Sequence, residues 1–220
     1  MGKRLLIIGA GGFGREILGW AEQIAAAGAE WEIGGFLDAN PIALESYPSS
    51  VGVIGDPSTY SPSADDLFIC AIGDTLTKLS LCRTIQRRGG RFTTLIHPTA
   101  VIGPNCRIGI GSILCPYASI TTNATLGDFV TLNTYAVIGH DSVVGDGCTL
   151  NGRASVNGNV VLGEGVSMGC HAVVNPKAKV GDYAVVGSGS VVFFAVLPHT
   201  SVLGVPARVI WRSTKSRKAA

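Results

Sequence analysis

The sequence predicts two unlike parts: an α/β N-terminal domain on a parallel sheet, then an all-β coil of short parallel strands. Three observations predict this. A glycine turn, Gly9 to Gly14, separates an apolar run from a helix-patterned stretch. From Ile96 to Val192 every sixth residue is aliphatic or Met, without one slip. With 30 glycines and only 15% charged residues, the composition suits tight turns better than a helical bundle.

In the first part, "RLLII" reads as a strand. The following stretch sets Ile17, Leu18, Ala21, Ile24 and Ala25 at helical spacing. "WEIGGFLDAN" is a second strand ending at Asp38, and "DDLFICAIGD" a third. A helix over "TLTKLSLCRTIQRRGG" and a last strand near "FTTLIHP" complete the unit. Strands alternating with helices imply a small parallel sheet.

In the second part, Ile96, Ile102, Ile108, Leu114, Ile120 and their successors to Val192 form one phase. Four residues after each aliphatic from Ile102 to Val186 stands Ala, Ser, Val or Cys, as at Ala118, Ala136 and Ala154. Gly or Asn usually follows the aliphatic directly, as at Gly103, Asn133 and Gly139. The large aliphatics are expected to fill the interior, with the small residues beside them. The Gly and Asn positions are expected to turn the corners with positive φ. This spacing resembles the hexapeptide repeat of the left-handed parallel β-helix, a triangular coil of three hexapeptides per turn.

Composition narrows the possible functions. A formal net charge of +2 offers no electrostatic case for nucleic acid. No segment approaches the ~20 apolar residues of a membrane span, and the apolar run of "KRLLIIGAGGFG" is too short and glycine-broken for a signal peptide. The chain is expected to be soluble and cytoplasmic. Cys70, Cys82, Cys106, Cys115, Cys148 and Cys170 show no CxxC or zinc-ligand spacing and read as reduced, mostly packed thiols. The basic "WRSTKSRKAA" end reads as a solvated tail.

Two constellations carry chemistry. His140 occupies a phase that faces outward near a corner, so the core does not require it. It is either an ordinary solvated histidine or there for chemistry. Asp141 can orient or charge-stabilise its imidazole. One coil further, Gly158 is expected over His140, offering a backbone N–H as an oxyanion donor. His97 reads as structural or as a substrate neighbour, and His171 and His199 lack such a setting. One hexapeptide family, the γ-type carbonic anhydrases, holds zinc with three histidines. Here no second histidine lies near His140, so no metal is expected. The second constellation is Gly9, Gly11 and Gly14 in GxGxxG spacing between strand and helix. Such a turn either holds a diphosphate on backbone amides or is simply a tight turn. Asp38 can accept from a ribose hydroxyl, and Gly73 and Asp74 line the same crevice. The first 95 residues amount to about half of a full dinucleotide fold.

Several motifs together resemble the sialic acid O-acetyltransferase-like family, in particular its bacterial nucleotide-sugar N-acetyltransferases acting on 4-amino sugars. They are "GAGGFG", "FLD", "AIGD", "IHPTA", "LNTYAVIGHD" and "GVPAR". The resemblance implies a Rossmann-like nucleotide-sugar-binding domain over 1–95, a left-handed β-helix over 96–195, and a closing segment with a basic tail over 196–220. It implies a homotrimer with acetyl-CoA in the groove between two coils, and a place in surface-polysaccharide biosynthesis. His140 would be the base, Asp141 its partner and Gly158 the oxyanion donor. Gly11, Gly12, Phe13, Asp38, Gly73, Asp74, Lys78 and Asn133 would contact the nucleotide-linked amino sugar. Thr149, Cys170, Ser188 and Pro206 would contact coenzyme A. Some relatives carry histidine where this chain has Phe13 and Thr149.

An imidazole of ordinary pKa, about 6.5, is largely neutral at neutral pH and accepts a proton as an amine attacks a thioester. A hydroxyl could use the same base, so sugar O-acetylation stays open. Two other classes compete: a non-catalytic trimeric nucleotide sensor and a nicotinamide oxidoreductase built on the glycine turn. Release of free thiol from acetyl-CoA separates the first, and NADH titration the second.

Overall fold

The computed structural model describes residues 2–212. The basic run from 213 to 220, counted above with the tail, lies outside the described residues.

The N-terminal domain contains β1 (Lys3–Ile8), α1 (Gly12–Ala26), β2 (Trp31–Leu37), β3 (Val53–Gly55), β4 (Asp66–Cys70), α2 (Thr75–Arg87) and β5 (Arg91–Phe92). The strands are parallel in the order β3-β2-β1-β4-β5. Helix α1 buries Gly14, Ile17, Leu18 and Ala21, an i, i+3, i+4, i+7 stripe. Helix α2 starts at Asp74, whose carboxylate accepts from Thr77 N–H at 2.9 Å. Two details differ from expectation. Strand β3 is too short, and too closely flanked by glycines, to show a pattern. The expected last strand is split: Arg91–Phe92 joins this sheet, whereas Leu95–Ile96 opens the coil.

The coil is a left-handed parallel β-helix with three faces, each strand two residues long. The chain visits an eight-stranded face at Leu95–Ile96, a six-stranded face at Val101–Ile102 and a five-stranded face at Arg107–Ile108, then repeats. Thr200–Leu203 and Arg208–Arg212 close it as an antiparallel pair on the eight-stranded face. Trp211 and Arg212, expected in a solvated tail, therefore belong to a strand.

The aliphatic phase from Leu114 to Val192 is buried, with Ala118, Ala136 and Ala154 beside it. Ile96 and Ile102 depart from the expected interior, being 37% and 39% exposed. They lie in the first turn, which has no coil beneath to cover it.

The corners correct the sequence reading more sharply. Positive φ falls three residues after the aliphatic, not one, as at Asn105, Tyr117, Asn123, Phe129, Tyr135 and Asp141. The Gly position directly after the aliphatic serves close approach instead. A Cβ on Gly103 would sit 1.3 Å from the Thr121 carbonyl oxygen, and one on Gly139 would sit 2.5 Å from the Asn157 carbonyl carbon. Glycine is needed there for space.

The N-terminal domain docks on the eight-stranded face. Phe92 meets Phe129 edge-on at 4.9 Å, and Arg83 bonds Glu164 at 3.1 Å. His97 is buried, with Nε2 2.9 Å from Gln23 Oε1 and Nδ1 2.8 Å from Thr99 Oγ1. The Thr99 N–H also donates to Nδ1, so Nε2 carries the proton toward Gln23. His97 thus links α1 to the start of the coil. Among the described residues no helix is long and apolar enough to cross a membrane.

Two expectations follow. Leu150, fully buried, should cost about 2–5 kcal/mol when replaced by Ala, whereas Ile102→Ala at the open first turn should cost distinctly less; denaturant titration of both variants checks this. Burial also lowers the His97 pKa, so the folded state binds fewer protons than the unfolded chain near pH 6. The stability this imidazole supplies is complete above its unfolded pKa of about 6.5 and declines as pH falls toward the depressed folded value. Thermal unfolding between pH 7.5 and 5.5 should show a drop that His97→Gln makes shallower.

Candidate active site

The glycine turn has a division of labour. Gly9 adopts φ +97. Gly14 lies so close to it that a Cβ would stand 1.9 Å from the Gly9 carbonyl oxygen. Above Gly11 there is open space, and this residue caps α1 without a side-chain hydrogen bond. The first amides of α1 therefore face a crevice that an anion can enter. Asp38 braces this turn: Oδ2 accepts from Ala10 N–H at 2.8 Å and Oδ1 from Asn40 N–H at 2.9 Å. Its remaining lone pairs stay available to a hydroxyl.

Two cavities lie between this crevice and the eight-stranded face. One, of about 270 Å³, brings Gly12, Phe13 and Gly73 against Thr131, Asn133 and Thr149. The other, of about 190 Å³, joins Gly73 and Asp74 to Tyr183, His199 and Trp211. The His199 ring stacks on Tyr183 at 5.4 Å. Sequence reasoning missed Thr131, Tyr183 and His199 here. The only signal for Thr131 was its place one coil before Thr149.

Lys78 differs from its expected role. It is 1% exposed, with Nζ donating to Thr149 Oγ1 at 2.8 Å and lying 3.5 Å from the Cys148 carbonyl oxygen. Burial lowers its pKa. Lys78 and Thr149, expected at two different ligands, thus bond to each other and fasten α2 to the coil. Nearby, burial pushes the Cys148 thiol up to about 12, so it is inert.

His140 stands elsewhere, on the corner between the six- and five-stranded faces, after the strand Val137–Ile138. Neither cavity includes it, Asp141 or Gly158. Adjacent strand residues point to opposite sides, yet here the two side chains meet. Asp141 adopts φ 58, and this turns its carboxylate back so that Oδ2 lies 2.7 Å from His140 Nδ1. A carboxylate only accepts, so Nδ1 carries a proton, and in the neutral ring Nε2 keeps its lone pair. The ring lies flush on Gly158, where a Cβ would stand 2.4 Å from Nε2. The imidazole and carboxylate side chains are 56% and 45% exposed. Hydrogen bonds from His140 first and Asn123 second hold the Asp141 carboxyl below its ordinary range.

Of the other expected coenzyme residues, Cys170 and Ser188 sit on another corner, between the eight- and six-stranded faces. Cys170 is exposed, and its carbonyl accepts from Gly189 N–H, next to Ser188, at 2.8 Å. Pro206, after a cis peptide bond, lies in the turn between the closing strands. Among the described residues no cluster of three or more His, Cys, Asp or Glu side chains is placed to hold a metal ion.

Comparison with known proteins finds relatives of the same fold. Residues 4–85 match a family model described as the PglD N-terminal domain. The crystal structure of PerB from Caulobacter crescentus, in complex with CoA and GDP-perosamine, is 30% identical. The match covers 94% of this chain and 97% of that one, with a TM-score of 0.83. WeeI from Acinetobacter baumannii AYE is 26% identical over 94% of this chain and 100% of that one, TM-score 0.82. The acetyltransferase domain of PglB from Neisseria gonorrhoeae FA1090, in complex with acetyl coenzyme A, is 26% identical over 96% and 100%, TM-score 0.83. No curated protein matches the chain. An α/β domain docked on one face of a hexapeptide coil, shared over nearly its whole length with PerB, shows that the chain belongs to the hexapeptide-repeat family of nucleotide-sugar amino N-acetyltransferases.

Proposed function

We propose that the protein transfers the acetyl group of acetyl-CoA to the amine of a nucleotide-diphospho-amino sugar, with His140 as general base. The observation that carries this reading is the His140–Asp141 pair: Nδ1 is committed to the carboxylate and Nε2 lies bare against Gly158. The diphosphate would sit at the N-terminus of α1, over Gly11 and Gly12 and beside Phe13, with Asp38 at the ribose. Gly73, Asp74 and Asn133 line the crevice through which the sugar would extend.

The base and the crevice lie on opposite sides of one prism. The α/β domain covers the eight-stranded face, and the His140 corner is the vertex opposite that face. One chain therefore cannot apply its own imidazole to a sugar held in its own crevice. A homotrimer resolves this, because the His140 vertex of one subunit then meets the crevice side of its neighbour. Acetyl-CoA would lie in the groove between them, near Cys170, Ser188 and Pro206, with its thioester at His140.

The chemistry is direct attack. The sugar amine gives its proton to Nε2 as its nitrogen bonds to the thioester carbonyl. The Gly158 N–H stabilises the resulting oxyanion, and the coenzyme leaves as a thiolate that recovers the proton. Asp141 keeps the correct tautomer and offsets the imidazolium charge. Holding both reactants in one groove supplies part of the acceleration through orientation.

A thiol-release assay with acetyl-CoA against UDP-, dTDP- and GDP-linked 4-amino sugars tests the reaction. The GDP-linked sugar comes first, because PerB is crystallised with GDP-perosamine. A panel without thiol release would refute the reading. In the same assay His140→Ala should lower kcat by about 10²–10⁴-fold, with thermal unfolding unchanged because the ring is largely solvated. Gly158→Ala should displace the ring that now rests on that position and lower kcat by at least about tenfold, leaving the KM for acetyl-CoA within about a factor of two. Wild-type turnover in Gly158→Ala would remove Gly158 from the site.

A further inference from the structure

We propose that Asn123 is a positioning residue for this reaction, holding Asp141 so that the carboxylate keeps the His140 imidazole aligned; the role rests on His140 being the base. Asn123 sits one coil before Asp141, on the same corner. Its Nδ2 donates to Asp141 Oδ1 at 3.1 Å, while the other oxygen, Oδ2, receives His140 Nδ1–H at 2.7 Å. The carboxylate is thus gripped at both oxygens.

A third member supports the second. Asn105, one coil earlier still, donates from Nδ2 to Asn123 Oδ1 at 3.1 Å. Because a carboxylate only accepts, Asn123 must turn Nδ2 to Asp141 and Oδ1 to Asn105, and the donations run in one direction from Asn105 through Asn123 to the carboxylate. Asp141 is 45% exposed at its side chain, and a carboxylate with that much solvent around it does not hold one rotamer on the strength of a single neighbour. The column supplies the second anchor.

Backbone geometry does not by itself explain these residues. All three adopt positive φ, but so do Tyr117, Phe129 and Lys177 at equivalent corners. Asn159 repeats the amide one coil after Asp141, but of the asparagines on this track it is Asn123 whose amide bonds the carboxylate that serves the base. Because glycine also accepts positive φ, Asn123→Gly deletes the amide and spares the corner.

Two readouts test the assignment. In steady-state thiol release from acetyl-CoA with a GDP-linked 4-amino sugar, Asn123→Gly should lower kcat by roughly tenfold, as for outer-shell partners of other positioned imidazoles. Both KM values should stay within about twofold of wild type, and Asn123→Gly should add nothing in a His140→Ala background. Independently of any substrate, the ¹⁵N shifts of His140 should report a single Nδ1–H tautomer in the wild type and a mixture in Asn123→Gly. Unchanged kcat with an unchanged tautomer overturns the proposal, as does a kcat loss that persists when His140 is absent. If His140→Ala keeps full activity, the base assignment falls instead, and the tautomer alone then judges the hold of Asn123 on the pair.

Discussion

The left-handed backbone at every sixth residue of the coil is the constraint on which the site depends. It bends the chain once per hexapeptide and brings residue i over residue i−18, so each side chain at a corner has a defined neighbour above and below. For residues other than glycine such a conformation costs about 1–2 kcal/mol. Coil-to-coil hydrogen bonds offset it: Asp141 N–H donates to the Thr122 carbonyl at 3.0 Å, and Asn159 N–H to the His140 carbonyl at 2.8 Å. Here the strained corner also turns the Asp141 carboxylate onto the imidazole of the preceding residue.

The same stacking makes the site a column. Thr122, His140 and Gly158 occupy one track of the corner, and Asn105, Asn123 and Asp141 the track beside it. Glycine above His140 leaves room for the ring to lie flat. The second track grips the carboxylate from below. Both tracks flank a core that is fully buried at Ile138 and Val156. A loop of equal length would need several packed supports to hold three polar groups in this register.

The docked α/β domain sets the other half of the arrangement. Lys78 reaches through α2 to Thr149, Arg83 pairs with Glu164, and His97 links the coil to Gln23. These contacts all lie on or beside the eight-stranded face or its first turn. They place the glycine turn over that face and leave the opposite vertex open. The crevice and the imidazole are therefore separated within one chain, and the proposed reaction would bring them together across two copies.

Much of this was legible in the residues alone, because period is a one-dimensional property. Aliphatic residues at every sixth position, with small residues four places on, specify a coil whatever the details of its corners. An imidazole placed where the core does not need it marks a candidate base. The GxGxxG turn, with helical spacing after it, marks the crevice. What composition and spacing could not show is which corner position takes positive φ. Both Gly and Asn favour it, and glycine is equally demanded by close approach, as at Gly103 and Gly139. Nor could they show where Lys78 points, since a lysine on a helix reads as solvated until a facing strand buries it. The grip of Asn123 on Asp141 was hidden for the same reason: contacts between coils depend on how the turns stack in three dimensions. Local sequence determined the elements and the presence of a candidate base, whereas tertiary structure decided which groups touch, because those contacts join residues far apart in the chain.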